Sequence, residues 1–199
     1  MGTLPRSILI AWAALAYLGV AMMIARAWRR IGYCPVTLFK RPRLLEICGS
    51  AGLCLYPLLM VLATYFPELP LSWKLQPLHH RSVHLAGAVL LGAEMVLYAV
   101  SVRNLGMSWR IGIDPQAKSP LITSGVYRLI RHPIYASLFL ALMGGFLTYA
   151  CAFSAAVAVL GTPALLLVIR REEEFLLEHF GDEYRAYAAR TARLLPKIW

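Results

Sequence analysis

The chain has 199 residues, of which 59% are apolar and only 15% charged, with a net charge of +10. Four uncharged stretches of about bilayer length or more exclude a soluble catalytic domain and predict an all-α, polytopic integral membrane protein embedded in the lipid bilayer. The cations flank apolar runs rather than interleaving with aromatics, which makes them orientation and headgroup charges and excludes nucleic acid as a partner.

The first predicted span is 7–25, nineteen residues without a charge. Only Arg6 precedes it and no small-residue cleavage site follows before Arg26, so a retained helix is expected rather than a signal peptide. Arg26, Arg29, Arg30, Lys40, Arg41 and Arg43 then make 26–43 a basic cytoplasmic loop, broken by Pro35 and Pro42. The second span, 47–66, carries Pro57, a site for a kink. Residues 67–82 form a polar turn with Trp73 as an interfacial anchor and Lys74 and Arg81 as its cations. His79, His80 and His84 close it, but no carboxylate or cysteine accompanies them to complete a metal site. A wet loop of histidines and no metal is the expectation. Span three, 83–102, holds Glu94 near its centre. A carboxylate at that depth is costly, so it faces the bundle interior as a structural hydrogen-bond partner or, second, as a substrate contact.

A polar segment of about thirty residues follows Arg103 and ends in the Arg131-His132-Pro133 corner. The uncharged run 133–169 would be about 55 Å as one helix, against a hydrocarbon core of about 30 Å. It must therefore fold as a helical hairpin, with spans 133–149 and 153–169 and the turn within 148–154. Beyond it, Phe175, Leu176, Leu177 and Phe180 stripe a charged sequence, which predicts an amphipathic helix at the interface, ended or bent by Gly181. The cysteines Cys34, Cys48, Cys54 and Cys151 occur singly and read as buried, reduced thiols. With five crossings, a cytoplasmic C-terminus puts 17 of the 20 Lys and Arg inside and leaves Arg6, Lys74 and Arg81 outside. The chain thus reads as one membrane domain with its working regions, about 105–135 and 170–199, on the cytoplasmic face, and its compactness points to a prokaryotic inner membrane.

Those regions carry two motifs, G-V-Y-x-x-x-R-H-P-x-Y at 125–135 and E-E-x-x-L-x-x-x-F-G-x-x-Y at 172–184, separated by the predicted hairpin. Together they resemble the isoprenylcysteine carboxyl methyltransferase family, to which phospholipid N-methyltransferases are related; the resemblance covers about the last hundred residues. It implies an integral membrane enzyme using S-adenosylmethionine as methyl donor. Carried over by position, cofactor contacts fall on Ser119, Pro120, Leu121, Ile122, Tyr127, His132, Pro133, Ile134, Tyr135 and Glu172, with a weaker one near Gly112. The types suit the ligand. Glu172 can hold a ribose hydroxyl or the ammonium, His132 can donate to the carboxylate, and the backbone of 120–122 can read the adenine edge. Tyr127 and Tyr135 can face the sulfonium. Displacement at a sulfonium needs alignment in a dry site more than acid–base groups, so a missing catalytic triad is no objection.

Two positions depart from the resemblance. Where carboxyl-methylating members place an Arg four residues before the first Glu, this chain has Val168, with Arg171 three residues on as a substitute. Ser137 stands where a Gly is usual. The resemblance implies a lipophilic or prenylcysteine-like methyl acceptor, carboxylate O-methylation being favoured and N- or S-methylation of a lipid amine or thiol the alternative; the missing Arg leaves the cofactor half of the inference standing and counts against a prenylcysteine acceptor. Arg131, Arg171, Glu94 and Val168 are the candidate substrate-side residues. Read without the resemblance, Glu172 to Glu174 are solvated partners of Arg170 and Arg171, and His132 caps a helix begun by Pro133. That reading corresponds to a non-catalytic scaffold or lipid-binding protein. Transport, resting on Glu94 alone, lacks the internal repeat expected of a transporter.

Overall fold

The computed structural model describes residues 3–31, 55–69, 72–108 and 120–196, and every regular element among them is helical. The rest of the basic loop after residue 31, the first half of the second span, Gly112, Ser119, and Cys34, Cys48 and Cys54 lie outside the described residues. Helix α1 is Thr3–Ile31, α2 is seen at 55–63, α3 is Arg81–Leu105, α4 is Pro133–Thr148, α5 is Ala152–Phe180 and α6 is Asp182–Arg190. By length and composition α1, α3 and α5 can each cross a membrane, whereas α4 is a shorter apolar helix.

Boundaries differ from expectation where the sequence lacks a helix breaker. Helix α1 continues past Ala25 through Ile31, since no Gly or Pro intervenes. The fifth span and the start of the tail are one helix of 29 residues, ended by Gly181 at φ 54°. Glu, Leu and Arg are strong helix formers, so the change from apolar to charged at Arg170 does not interrupt it. At about 44 Å, α5 is longer than a hydrocarbon core of about 30 Å, and its charged last three turns extend beyond the apolar part, 152–169.

Helices α3 and α4 pack antiparallel through small residues. A Cβ on Gly87 would stand 2.5 Å from both the backbone N and Oγ1 of Thr148, and one on Gly144 would stand 2.9 Å from the Leu91 side chain. Such close approach is how helices gain dispersion contact where no hydrophobic drive separates protein from lipid. Around this seam lies a core of Leu9, Trp12, Tyr56, Met60, Leu91 and Leu142. Glu94 enters it from α3. Its Oε2 accepts from Trp12 Nε1 at 3.0 Å, the inward-facing structural bond expected at that depth.

The turn between α4 and α5 is short, Tyr149 to Cys151, and buried. Buried turns need every backbone group paired. The segment 72–79 straps across it: Leu75 N and the His79 ring donate to Ala150 O, each at 2.9 Å, and Ala152 N donates to Trp73 O at 2.9 Å. Ser154 Oγ bonds Tyr149 O at 2.9 Å and accepts from Cys151 N at 3.0 Å. Cys151 is a buried free thiol, as expected. The histidines differ from the wet loop expected of them, because His84 is buried in the first turn of α3 and His79 is half-buried against the strap.

The seam gives a paired prediction. Gly87→Ala overpacks the α3–α4 contact at a backbone atom and costs about 1–3 kcal/mol, seen as a thermal midpoint in detergent lowered by several degrees. Gly92→Ala, with nothing within 4 Å of its added Cβ, leaves the midpoint unchanged or slightly raised.

Candidate functional site

The polar stretch before α4 is held by its neighbours rather than by regular structure. Gly125, in a short 3-10 turn at Gly125–Arg128, has φ 61°, and a Cβ there would lie 2.1 Å from Asn104 Oδ1. Only glycine fits. The same Asn104 oxygen, at the end of α3, accepts from Val126 N at 2.8 Å. On the other side the stretch pairs with the chain after α6. Arg131 N donates to Ala192 O at 2.8 Å and His132 N to Arg193 O at 3.1 Å, beside an isolated parallel bridge between Ile130 and Ala192. Tyr187 Oη donates to Tyr127 O at 2.7 Å, so α6 is tied to the 3-10 turn as well.

The centre of this junction is Glu173 on α5. Its Oε1 accepts from Arg131 Nε at 3.0 Å and from His132 Nε2 at 3.2 Å, while Oε2 takes Arg193 Nη2 at 2.6 Å. Arg131 Nη1 turns to the end of α6, bonding Ala188 O at 2.9 Å and also Thr191 O. These are carbonyls that a helix C-terminus leaves unpaired, and a cation there also complements the helix dipole. One carboxylate thus joins α5, the start of α4 and the tail. Burial alone would raise the Glu173 pKa, but hydrogen bonds from His132, Arg193 and Arg131 outweigh it and hold the carboxyl at about 2, below an ordinary 4.5.

His132 is buried and stands between two carboxylates. Its Nε2 faces Glu173, which as an ionised acid can only accept, so Nε2 carries the proton. Its Nδ1 lies 3.8 Å from Glu172 Oε2, beyond hydrogen-bond range, and that oxygen is buried with no hydrogen-bond partner. Tyr127 closes the group. Burial pushes its hydroxyl far above the ordinary phenol range, and the nearby Glu172 carboxylate pushes it the same way. Tyr135, on the first turn of α4, sets its ring edge-on to His132 with centroids 5.7 Å apart.

The structure therefore brings Tyr127, His132, Tyr135 and Glu172 together, with Pro133 and Ile134 opening α4 beside them. Pro120, Leu121 and Ile122 precede the 3-10 turn in irregular chain, exposed to half-buried. Val168 and Arg171 are half-buried on α5 within a turn of Glu172. Glu94 is not part of the junction; ten residues before Asn104 on α3, it lies about 15 Å away along the helix axis. Beside the junction a recess of about 660 Å³ is lined by Arg131, Glu173, Glu174, Tyr184 and Arg193 among others. Sequence reading missed Asn104, Glu173 and Arg193. The signal available was the run of three acids at 172–174 together with R-H-P, but which of these adjacent carboxylates faces the arginines depends on helix rotation.

Three helices able to cross a membrane among the described residues, and a buried ion-paired junction where α4, α5 and the tail meet, define a membrane-embedded protein with a polar site at one end of its bundle. The family model for phospholipid methyltransferases matches residues 82–183. The chain belongs to this phospholipid methyltransferase family, and the matched segment runs from α3 to the start of α6 and contains Tyr127, His132, Glu172 and Glu173. Among its relatives is a probable protein-S-isoprenylcysteine O-methyltransferase of Oryza sativa subsp. indica, 35% identical over 149 residues, 68% of this chain and 69% of that protein. A methanethiol S-methyltransferase of a Pseudomonas species is 27% identical over 214 residues, 99% of this chain and 74% of that one. The cobalt-zinc-cadmium resistance protein CzcN of Cupriavidus metallidurans is 34% identical over 104 residues, 51% of this chain but only 48% of its own length.

Because Glu173 is only 14% exposed and neutralises two arginines, Glu173→Gln leaves them buried and unbalanced and costs about 3 kcal/mol. A carboxyl held below its unfolded pKa stabilises fully above that value and progressively less as pH falls. Thermal midpoints of the wild type should thus fall between about pH 4.5 and 2, and the Glu173→Gln profile should be flatter over that window.

Proposed function

We propose that the protein is an integral membrane methyltransferase that binds S-adenosylmethionine at the Tyr127–His132–Glu172 group and methylates a lipophilic acceptor. The observation carrying this reading is Glu172, whose buried Oε2 lacks a hydrogen-bond partner while a buried His and two Tyr surround it. Leaving such an oxygen unsatisfied costs about 1–3 kcal/mol, and a ribose hydroxyl or ammonium would satisfy it. The neighbouring residue types fit the rest of the ligand. His132 Nδ1, left as an acceptor once Nε2 is committed to Glu173, suits a ribose hydroxyl or the ammonium rather than the carboxylate. The faces of Tyr127 and Tyr135 attract a cation, and the irregular backbone of 120–122 has groups free of helix bonding to meet an adenine edge. Ser119 and Gly112 complete the set by sequence position.

Bound S-adenosylmethionine supplies a methyl group on a sulfonium, an electrophile that needs no metal. The chain's own contribution is placement and dryness. Glu173 fixes the rotamer of His132 and the position of α5 relative to α4, and so sets where Glu172 points. Arg131 acts here as a positioning residue, its Nε bonded to Glu173 and its Nη1 to the end of α6. That leaves Arg171 as the cation for an acidic acceptor, next to Val168. The apolar flanks of α4 and α5 supply a lateral route from the bilayer for a lipophilic substrate. Carboxylate O-methylation of a prenylcysteine-like acceptor is the leading chemistry. S-methylation of a thiol is the second, favoured by the relationship to a methanethiol S-methyltransferase along 99% of the chain. The excess of cations at 26–43 and around the junction supports a cytoplasmic site, with the N-terminus outside.

Calorimetric titration of detergent-solubilised protein with S-adenosylhomocysteine tests the site. One saturable site is expected, weakened about tenfold or more in Glu172→Ala, the loss of one charge-assisted bond, with an unfolding midpoint that is not lowered because that oxygen has no hydrogen-bond partner in the protein. No binding by folded wild type would leave the scaffold reading in its place. With binding established, transfer of labelled methyl to a prenylcysteine but not to an aliphatic thiol would support O-methylation, and the reverse would support the thiol.

A further inference from the structure

The end of the bundle opposite the junction contains a second polar cavity, of about 550 Å³, where the start of α1, the end of α2, the 72–79 strap and the start of α3 meet. Its polar lining includes Arg6, Lys74, Gln76, His79, Arg81 and His84, and no Asp or Glu is among its described lining residues. Three fixed positive charges and two imidazoles without a carboxylate form an unusual wall for a chamber walled by the ends of apolar helices. Arg6 is held in place, since its Nη2 donates to Thr64 O at 2.7 Å and its guanidinium lies 4.2 Å over the Tyr65 ring. The start of α3 adds to the positive field, with no acidic residue in its first turn and no side-chain cap.

His84 supplies the independent observation. It is 8% exposed, lines this cavity, and its Nδ1 is buried with no hydrogen-bond partner. Buried polar nitrogens are nearly always paired, so this one calls for a partner from outside the chain, and in the tautomer or imidazolium that carries a proton on Nδ1 that partner is an acceptor. Its ring packs edge-on to His79 at 5.4 Å, and His79 is itself anchored to Ala150 O, so the imidazole is oriented rather than free. A metal cation does not suit this wall, because Arg6, Lys74 and Arg81 would repel it and no group of three ligands exists among the described residues. An oxyanion suits it on every count.

We propose that this cavity is a phosphate-binding site, taking either free phosphate or the phosphodiester of a lipid headgroup. It is separate from the proposed methyl-transfer site. His84 and Asn104 are twenty residues apart on α3, about 30 Å along its axis, the thickness of a hydrocarbon core. The site therefore lies at the other end of the apolar layer, where headgroup phosphates are found. The volume of about 550 Å³ accommodates a phosphate with part of its ester.

Two calorimetric arms use the full chain in a neutral detergent, one with inorganic phosphate and one with short-chain phosphatidylglycerol. Each compares wild type with Lys74→Gln/Arg81→Gln, a half-buried and an exposed cation whose replacement by Gln keeps the backbone pairing of the strap and leaves the unfolding midpoint in place, and with His84→Ala. One equivalent of at least one probe should bind saturably and at least about tenfold more weakly to the double variant, since each charge-assisted bond carries about a tenfold change. Phosphate binding assigns a soluble oxyanion; binding of the lipid alone assigns a headgroup site. Absence of saturable binding in both arms, or wild-type affinity in the double variant, overturns the proposal. If His84→Ala does not fold, the double variant alone decides.

Discussion

The junction depends on one carboxylate. Glu173 accepts from Arg131, His132 and Arg193, which belong to the corner before α4 and to the tail beyond α6. Without it, two guanidiniums would face each other in a largely buried space, where like charges repel far more strongly than in water. With it, the cations become fasteners. Arg131 reaches on to the carbonyls at the end of α6, and the backbone pairing of Arg131 and His132 with Ala192 and Arg193 follows from that register. The neighbouring Glu172 is then the acid not consumed by the structure. Adjacent residues of one helix differ by about 100° in direction, so one acid builds the junction while the next keeps a buried oxygen without a hydrogen-bond partner.

A second constraint acts in the apolar layer, where helices gain little from leaving lipid and must gain from close contact. Gly87 and Gly144 let α3 and α4 approach until a single Cβ would clash. That approach fixes both ends of the bundle together. At one end it places Asn104 under Gly125 and so sets the stretch leading to His132. At the other it lets the strap at 72–79 seal the buried turn after α4 and bring His79 against His84. The Trp12–Glu94 bond ties α1 to the same seam, with a donor inside the core that offsets the cost of the carboxylate.

The two ends carry different electrostatics. At the junction, cations and carboxylates are matched and mostly neutralise one another. At the other end the cavity wall is positive and has no acid of its own among the described residues. A chain with matched charges at one end and unmatched ones at the other has two different environments to satisfy, and the membrane thickness separates them.

Much of this was legible in the sequence because hydropathy and helix length are local properties. The absence of charge over 133–169 required a hairpin whatever the neighbours did, Glu94 had to find a partner inside, and the motifs at 125–135 and 172–184 identified the two segments that meet. Helix ends were less legible. The continuation of α5 through the charged residues follows from propensity, which a reading based on hydropathy does not register. What only the tertiary structure decided was pairing across long sequence distances: Trp12 with Glu94, Asn104 with Gly125, Arg193 with Glu173 rather than Glu172, and His84 facing a cavity instead of water. These depend on helix rotation and on contacts between segments up to about eighty residues apart, and a residue's own neighbours in sequence carry no record of either.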